Sequence, residues 1–367
     1  MKVIYDNQIF SFQKYGGISR TFVELIKRIK EMDGCKVFVV ALGSNNYYLN
    51  TLKNKRIKSD KWTNSYLRML LYNWINKLII KLKCVMNPDC ILHTTYYDTW
   101  YLDHCAVKIV CTIHDMIFER ISNSTENFEK IIQNKKRYIY ESDIIIAVSE
   151  NTKKDILYYY PDVPKDKIKV IYHGNSMEEV KKDKDICKKY ILFVGNRDSY
   201  KNFNVVLRSM ESIVRHFERD IDLICVGGGA FSLDEKKLIT SLKLDKRVVQ
   251  KNCNDEELAH LYTNAICFVF SSYYEGFGIP ILEAWNCGCP VVLSNTSCFP
   301  EIAGDAALYF EPDNDNELTE KILDIISDEK LQKALVQKGK CRLKFYDWQI
   351  ASDMLYEAYS QILDENL

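Results

Sequence analysis

The chain has 367 residues, 50 Lys plus Arg against 50 Asp plus Glu, 47% hydrophobic and 27% charged positions. That length suits two domains better than one core. The balanced charge argues against a general nucleic-acid binder, which needs a basic excess. Seven Pro and 14 Gly exclude a collagen-like or linker-dominated chain.

The opening MKVIYDNQIF lacks the basic segment, apolar run and small residues of a signal peptide, so a cytoplasmic protein is expected. Short apolar runs then alternate with amphipathic stretches, the pattern of βαβ units and parallel sheets. The first half offers strands at Val3–Tyr5, Lys36–Ala41, Cys90–Thr94, Lys108–Ile113, Ile144–Val148 and Ile168–Tyr172. Helical spacing lies between them at Ser19–Lys30, Tyr66–Lys83 and Glu126–Ser142. The stretch 51–84 carries Lys53, Lys55, Arg56, Lys58, Lys61, Arg68, Lys77, Lys81 and Lys83 against one acid, Asp60. Its Leu67, Leu70, Leu71, Trp74, Ile75, Leu78, Ile79 and Leu82 recur at helical spacing as one stripe. Two readings stay open. The helix makes peripheral contact with an anionic membrane, or its stripe packs on the first sheet and its lysines are solvated. Arg68, Asn73, Asn76, Lys77 and Lys81 interrupt residues 66–82, so no transmembrane helix is expected.

Residues 175–189 are dense in Lys, Glu and Asp and read as an exposed linker. The pattern then restarts with strands at Tyr190–Val194, Leu223–Val226, Val248–Lys251, Cys267–Phe270, Val291–Leu293 and Ala307–Phe310. Helices fill the gaps at Phe203–Phe217, Leu233–Leu242, Asp255–Thr263, Ile279–Asn286 and Glu317–Ile326. The expected architecture is α/β: two Rossmann-like, doubly wound domains, 1–174 and 190–347, facing a cleft. Such domains bind ligands at the carboxyl ends of their strands, so a cleft between two would hold two substrates face to face. Helices at Glu329–Phe345 and Trp348–Leu363 come after the second sheet. The last has a broad apolar stripe, so 348–367 either packs back on the first domain or caps the second.

Thirteen cysteines, with no CxxC pair, and six histidines, with no HExxH, give little support for a zinc site. They read as reduced thiols used as small core residues.

Four motifs could carry chemistry. Tyr15-Gly16-Gly17-Ile18-Ser19-Arg20 sits between the first strand and a helix, where paired glycines let backbone approach a phosphate at the helix start. Taken alone, the motif reads first as a tight turn before a Ser-capped helix. His114-Asp115 follows the strand ending at Ile113, a position suited to a sugar or phosphate contact or to a satisfied structural His. In Gly195-Asn196-Arg197-Asp198-Ser199-Tyr200-Lys201-Asn202, Arg197 and Lys201 are four apart and can converge on one diphosphate; ordinary solvated cations are the alternative. Glu275-Gly276-Phe277-Gly278-Ile279-Pro280-Ile281-Leu282-Glu283 is the most specific. Its glycines expose backbone N–H groups at a helix start, Pro280 fits the first turn, and two carboxylates can face one polyhydroxylated ligand.

Together these motifs resemble the family-4 retaining glycosyltransferases of the GT-B fold, whose Glu–seven residues–Glu motif is matched by Glu275 and Glu283. The likeness extends through Ala147-Val148-Ser149-Glu150-Asn151-Thr152 and Gly288-Cys289-Pro290-Val291-Val292, in the family's order. DNQIFSFQKYGGISR and GNRDSYKN look like the mannosyltransferase-B-like branch that builds O-antigen and capsular polysaccharides. The resemblance implies catalytic roles for His114, Glu275, Arg197 and Lys201. It implies donor contacts from Gly16, Gly17, Arg197, Lys201, Glu275, Gly276, Phe277, Gly278, Ile279 and Glu283. Glu275 would hold sugar hydroxyls, Glu283 the ribose, and the two cations the leaving diphosphate, with no metal and no cofactor. Lys251-Asn252-Cys253-Asn254 replaces a more usual Gly-containing loop, which leaves the nucleotide open.

The expected function is therefore a retaining transfer of a hexose, mannose from GDP-mannose, to a growing, lipid-linked surface glycan at the inner face of the membrane. A UDP-sugar donor, a sugar-nucleotide epimerase of the same fold and a non-catalytic nucleotide-sugar-binding subunit are the rivals.

Overall fold

The computed structural model describes residues 1–52, 66–120, 126–181, 189–197, 199–215 and 220–364. Lys53, Lys55, Arg56, Lys58, Asp60 and Lys61 of the basic stretch, Asp198 of the third motif and 182–188 of the expected linker lie outside them. Two units emerge, Met1–His173 with Trp348–Leu367, and Gly174–Asp347.

In the first unit β1 (Lys2–Tyr5), β2 (Lys36–Val39), β3 (Ile91–Thr94), β4 (Lys108–Ile113), β5 (Ile144–Ala147) and β6 (Ile168–Val170) form a parallel sheet in the order β2-β1-β3-β4-β5-β6. β3 and β5 are buried at every residue. Strands covered on both faces read as continuous apolar runs, which is why β5 was legible, whereas β3 ends in the buried polar pair His93 and Thr94. One face is covered by the helices Gly17–Ile29 and Trp348–Asp364, whose Phe22, Leu25, Ile26 and Ile29 share a core with Trp348, Leu355, Tyr359 and Ile362. The last helix thus packs on the first unit. A buried polar chain pins it there. Tyr359 Oη lies 2.7 Å from Tyr5 Oη and 2.5 Å from His93 Nδ1, and His93 Nε2 lies 2.8 Å from Thr112 Oγ1.

In the second unit β7 (Lys189–Val194), β8 (Ile221–Val226), β9 (Val248–Lys251), β10 (Phe268–Phe270), β11 (Val291–Ser294) and β12 (Leu308–Phe310) form a parallel sheet in the order β12-β11-β10-β7-β8-β9. Ile191, Phe193, Leu223, Val269 and Val292 meet the helices Phe203–Arg215 and Asp315–Ser327 through Val206, Met210, Leu318 and Ile322. Residues 174–181 fold with this unit: Met177 is buried, its carbonyl accepts from Asn286 Nδ2 at 2.8 Å, and Glu179 pairs with Lys340.

Candidate functional site

Where strand order reverses in a parallel sheet, the loops leaving two neighbouring strands diverge and open a crevice at the carboxyl edge. In the second unit that point lies between β7 and β10. The loops leaving those strands carry two of the four motifs, residues 195–202 and 271–278.

The two loops are joined by charge. Lys201 Nζ donates to Glu275 Oε1 at 2.5 Å, and Ser272 Oγ donates to the same oxygen at 2.6 Å. Glu275 Oε2 accepts no hydrogen bond among the described residues, which leaves an acceptor for a ligand. Both side chains of the ion pair are 13% exposed. Burial pushes the Lys201 pKa down, but the opposing Glu275 and Tyr200 contributions prevail and hold it above its ordinary value. The ammonium also lies over the rings of Tyr200 and Phe270.

The backbone is braced at both members. Ser271 Oγ donates to the carbonyls of Lys201 and Asn202, and Asn202 is left-handed at φ 51°. Ser297, at φ 55°, accepts from the Glu275 N–H at 3.1 Å and donates to the Glu275 carbonyl at 2.6 Å. A non-glycine residue in this region costs on the order of 1 kcal/mol or more, and such residues collect where a site must be held.

Gly278, at φ 103°, caps the helix Ile279–Asn286. The left-handed conformation calls for glycine, and a Cβ there would also press on Ile281 at 3.1 Å and Phe299 at 3.3 Å. Gly276 and Phe277 lead into this turn, both buried. Cys298 Sγ donates to the Phe277 carbonyl. The helix turns Glu283 inward, where it is 5% exposed and its Oε2 accepts from Tyr262 Oη at 3.4 Å. The two glutamates therefore differ: Glu275 is partly open and held by a cation, whereas Glu283 is buried behind the helix start.

Arg197 departs from expectation. Its Nε donates to Glu235 Oε1 at 2.6 Å, Nη1 to the Gly227 carbonyl, and Nη2 to the carbonyls of Gly228, Gly229 and Ala230. It does not converge with Lys201 on one point, because a carboxylate and four carbonyls already absorb its fork. Gly228 is itself left-handed, and a Cβ on it would lie 2.7 Å from Arg197 Nη1. Beside this knot is a cavity of about 540 Å³ lined by Asn196, Arg197, Gly228, Gly229, Ala230, Ser232 and Glu235.

The first unit carries the other two motifs. His114 follows β4, its peptide N–H donating to Tyr97 Oη at 3.4 Å. Its Nε2 is buried with no hydrogen-bond partner among the described residues. Burial first, then the charge of Lys135, pushes its pKa down to about 3, so the ring is neutral at neutral pH. Gly16 caps the helix Gly17–Ile29 in extended backbone. Gln13 Oε1 accepts the Ser19 N–H at 3.2 Å, and a Cβ on Gly16 would lie 2.2 Å from that oxygen. The expected phosphate-facing helix start is thus capped by the chain's own carboxamide.

Sequence reasoning missed Asp6, which leaves β1 at the first sheet's own reversal, between β1 and β3. It accepts from the Gln8 N–H and Nε2 and from the Thr95 N–H and Oγ1, and burial pushes its pKa up to about 6. Its place directly after a strand was the available signal. Ser297 carried none, and Asn202 and Gln13 lay inside segments already singled out but with no role of their own. Among the described residues no group of three or more His, Cys, Asp or Glu is placed to hold a metal ion.

Two family models match the chain, Glycosyltransferase Family 4 over residues 15–179 and Glycosyl transferases group 1 over residues 176–342. O-antigen chain mannosyltransferase B of Escherichia coli is 25% identical over 396 residues, covering 98% of this chain and 99% of that protein. O-antigen chain mannosyltransferase RfbU of Salmonella typhimurium is 30% identical over 174 residues, 47% of each. Among solved structures, Anabaena HepE in complex with UDP and glucose matches with a TM-score of 0.75 at 16% identity, covering 98% of this chain and 100% of that one.

Proposed function

The chain belongs to the family-4 glycosyltransferases of the GT-B fold, and from that premise we propose that it moves mannose from GDP-mannose onto a growing, lipid-linked surface glycan with retention of configuration. The observation that carries this reading is the Lys201–Glu275 pair at the strand-order reversal, with Oε2 left open beside the Gly278-capped helix start. Mannose as the transferred sugar is supported by the two relatives named O-antigen chain mannosyltransferases; GDP as its carrier is part of the proposal.

In this proposal Glu275 Oε2 accepts from hydroxyls of the donor sugar, and the backbone from Gly276 to Ile279 meets sugar and phosphate. Glu283 accepts from the ribose. As the bond between C1 and the phosphate oxygen breaks, Lys201 takes up the negative charge left on the diphosphate. Arg197 joins it by exchanging Glu235 for phosphate. The acceptor hydroxyl adds to C1 from the same face, and its proton passes to the departing phosphate oxygen. His114, neutral and with Nε2 unpartnered, offers a hydrogen bond to a sugar hydroxyl. Gly16 and Gly17 meet phosphate once Gln13 withdraws. Neither metal nor cofactor is assigned to the reaction, which takes place on the cytoplasmic side of the membrane.

The test is turnover of the purified chain with GDP-, UDP- and ADP-sugars, with and without glycan acceptor, and the product's anomeric configuration by NMR. GDP-mannose consumption that requires acceptor and yields an α-linkage supports the proposal. Preference for a UDP-sugar overturns the donor, donor conversion without acceptor points to an epimerase, and binding without turnover to a non-catalytic subunit.

A further inference from the structure

His114 is held at the end of β4 from both sides. Ahead of it, its peptide N–H donates to Tyr97 Oη at 3.4 Å, and that hydroxyl donates to the Thr112 carbonyl at 3.3 Å. Behind it, the Asp115 carbonyl accepts from Lys135 Nζ at 2.9 Å. Lys135 comes from the helix Glu126–Glu141 and is 1% exposed. Its ammonium also donates to Glu119 Oε2 at 2.9 Å and lies over the rings of Tyr97 and Phe118, 5.7 Å from each centre. One buried cation therefore meets both the ring whose hydroxyl holds the His114 N–H and the carbonyl of the next residue. Glu119 belongs to the short helix Ile117–Arg120, which begins where Asp115 Oδ1 accepts the Ile117 N–H at 3.1 Å. On its other side Arg120 ties that helix to Asp155 of the helix Glu150–Tyr159.

A lysine buried to this degree needs a reason. Taking both charges of an ion pair out of water costs about as much as their attraction returns, and an apolar pair of the same size holds a core as well. Here the pair is not even fully satisfied. Glu119 Oε1 is buried with no hydrogen-bond partner among the described residues, and burial pushes the Glu119 pKa up against the pull of Lys135. Nor is the ammonium an anion site, because at 1% exposure it is out of a ligand's reach. What the pair supplies that an apolar one could not lies at the other end of its bonds. It puts a fixed donor on the Asp115 carbonyl and a positive charge near enough to His114 to oppose protonation of the ring. The group served is the one whose Nε2 is buried without a partner among the described residues.

We propose that Lys135 is a positioning residue for the transfer reaction: held by Glu119, it fixes the Asp115 carbonyl and so sets the His114 ring for its hydrogen bond to a sugar hydroxyl. Glu119 acts one step further back, by keeping the ammonium in place. This role rests on the reading of His114 as a sugar contact. Histidine resonances, which need no sugar nucleotide, let the two fail separately.

Lys135→Met alone would leave the Glu119 carboxylate buried without its cation, so it is combined with Glu119→Gln, which leaves no lone charge to bury. Lys135→Arg keeps the charge and a donor for the carbonyl. In the full chain labelled at histidine, the double variant should move the NMR ring resonance of His114, identified by its loss in His114→Ala. Those of His93 and His173 should hold. With GDP-mannose, or the UDP-sugar that replaces it, and glycan acceptor, kcat should fall about tenfold with the donor KM within about twofold of the parent chain. Lys135→Arg should recover most of that loss. Added to His114→Ala, the double variant should cost almost nothing more, because a residue that acts through His114 has nothing left to act on. An unmoved His114 resonance, a loss that adds in full to that of His114→Ala, a KM that rises as far as kcat falls, or no recovery by Lys135→Arg overturns the proposal. So does displacement of all three histidine resonances with a lower Tm, which marks a pair that serves the fold alone. Full turnover in the double variant with a loss in His114→Ala overturns this role and spares the reading of His114; full turnover in both overturns the two together.

Discussion

The ion pair between Lys201 and Glu275 ties the stability of the second unit to its chemistry, and a double-mutant cycle exposes the link. Glu275→Gln keeps an oxygen for Lys201 and Ser272 but removes the charge, leaving an ammonium at 13% exposure without its counterion. Stripping one partner from a buried pair costs about 3–5 kcal/mol. Partial exposure and the flanking rings of Tyr200 and Phe270 place this case at the low end, about 3 kcal/mol. For a unit of this size that lowers Tm by roughly 6–12 °C. Lys201→Met removes the cation instead, and Glu275 keeps Ser272. The double variant should then recover about 2 kcal/mol relative to the sum of the single losses, because neither charge remains to be desolvated alone.

The same variants separate roles in catalysis. A charge-assisted hydrogen bond to the sugar of about 1.5–3 kcal/mol corresponds to roughly a ten- to hundredfold loss of turnover in Glu275→Gln. Its affinity for GDP should hold or rise, since Lys201 no longer answers to a carboxylate. Lys201→Met should lose both GDP affinity and turnover. Calorimetric melting, isothermal titration with GDP and steady-state transfer rates supply the readouts. Additivity within about 0.5 kcal/mol would refute the pairing. A fall in GDP affinity as large as the fall in turnover in Glu275→Gln would refute the division of roles.

Glu235→Gln frees Arg197 from its carboxylate and should tighten GDP binding several-fold by titration calorimetry; weaker binding would mean that Arg197 serves the Gly227–Ala230 loop alone. His114→Ala should lower turnover at least tenfold with donor affinity unchanged, whereas a structural role would lower Tm and spare activity per folded molecule. Acid should unfold the first unit early. Burial pushes His93, His114 and His173 down to about 3, so the unfolded chain takes up their protons near pH 6.5 and the folded one does not. Stability is then full above that pH and falls as pH drops, by ~2 kcal/mol per histidine at pH 5, against ~1 kcal/mol gained from Asp6, whose raised pKa works the other way. A melting temperature that is flat from pH 7.5 to 5 would contradict the burial of these rings.

Much of the fold was legible because parallel strands buried on both faces leave unbroken apolar runs, as at Ile144–Ala147 and Leu223–Val226. Local chemistry marked helix starts as well: Ser232 with Glu235, and Asn254 with Glu257, close reciprocal capping boxes. The roll of a helix was not legible. Periodicity in Tyr66–Met86 reports a stripe but not the side on which the rest of the protein lies, and that side is chosen by Asn76 and a backbone group at Leu42, far away in sequence.

The candidate site divides along the same line. The types and strand-end positions of Lys201, Glu275 and Gly278 were visible, since each depends on a neighbour in the same motif or on a loop leaving an adjacent strand. The destination of Arg197 was not. A guanidinium four residues from a lysine looks like half of an anion clamp, but its five donors go wherever carboxylate and carbonyl oxygens are nearest. Here those oxygens belong to Glu235 and the loop Gly227–Ala230, which follow β8 rather than β7. Nothing local to Arg197 announces them. The left-handed glycines that let those carbonyls turn inward give the only trace, and they read equally well as an ordinary turn. A motif therefore predicts which groups are available at a strand end. Which of them are already engaged is decided by a neighbouring loop, and for Arg197 that engagement is the quantity that Glu235→Gln changes.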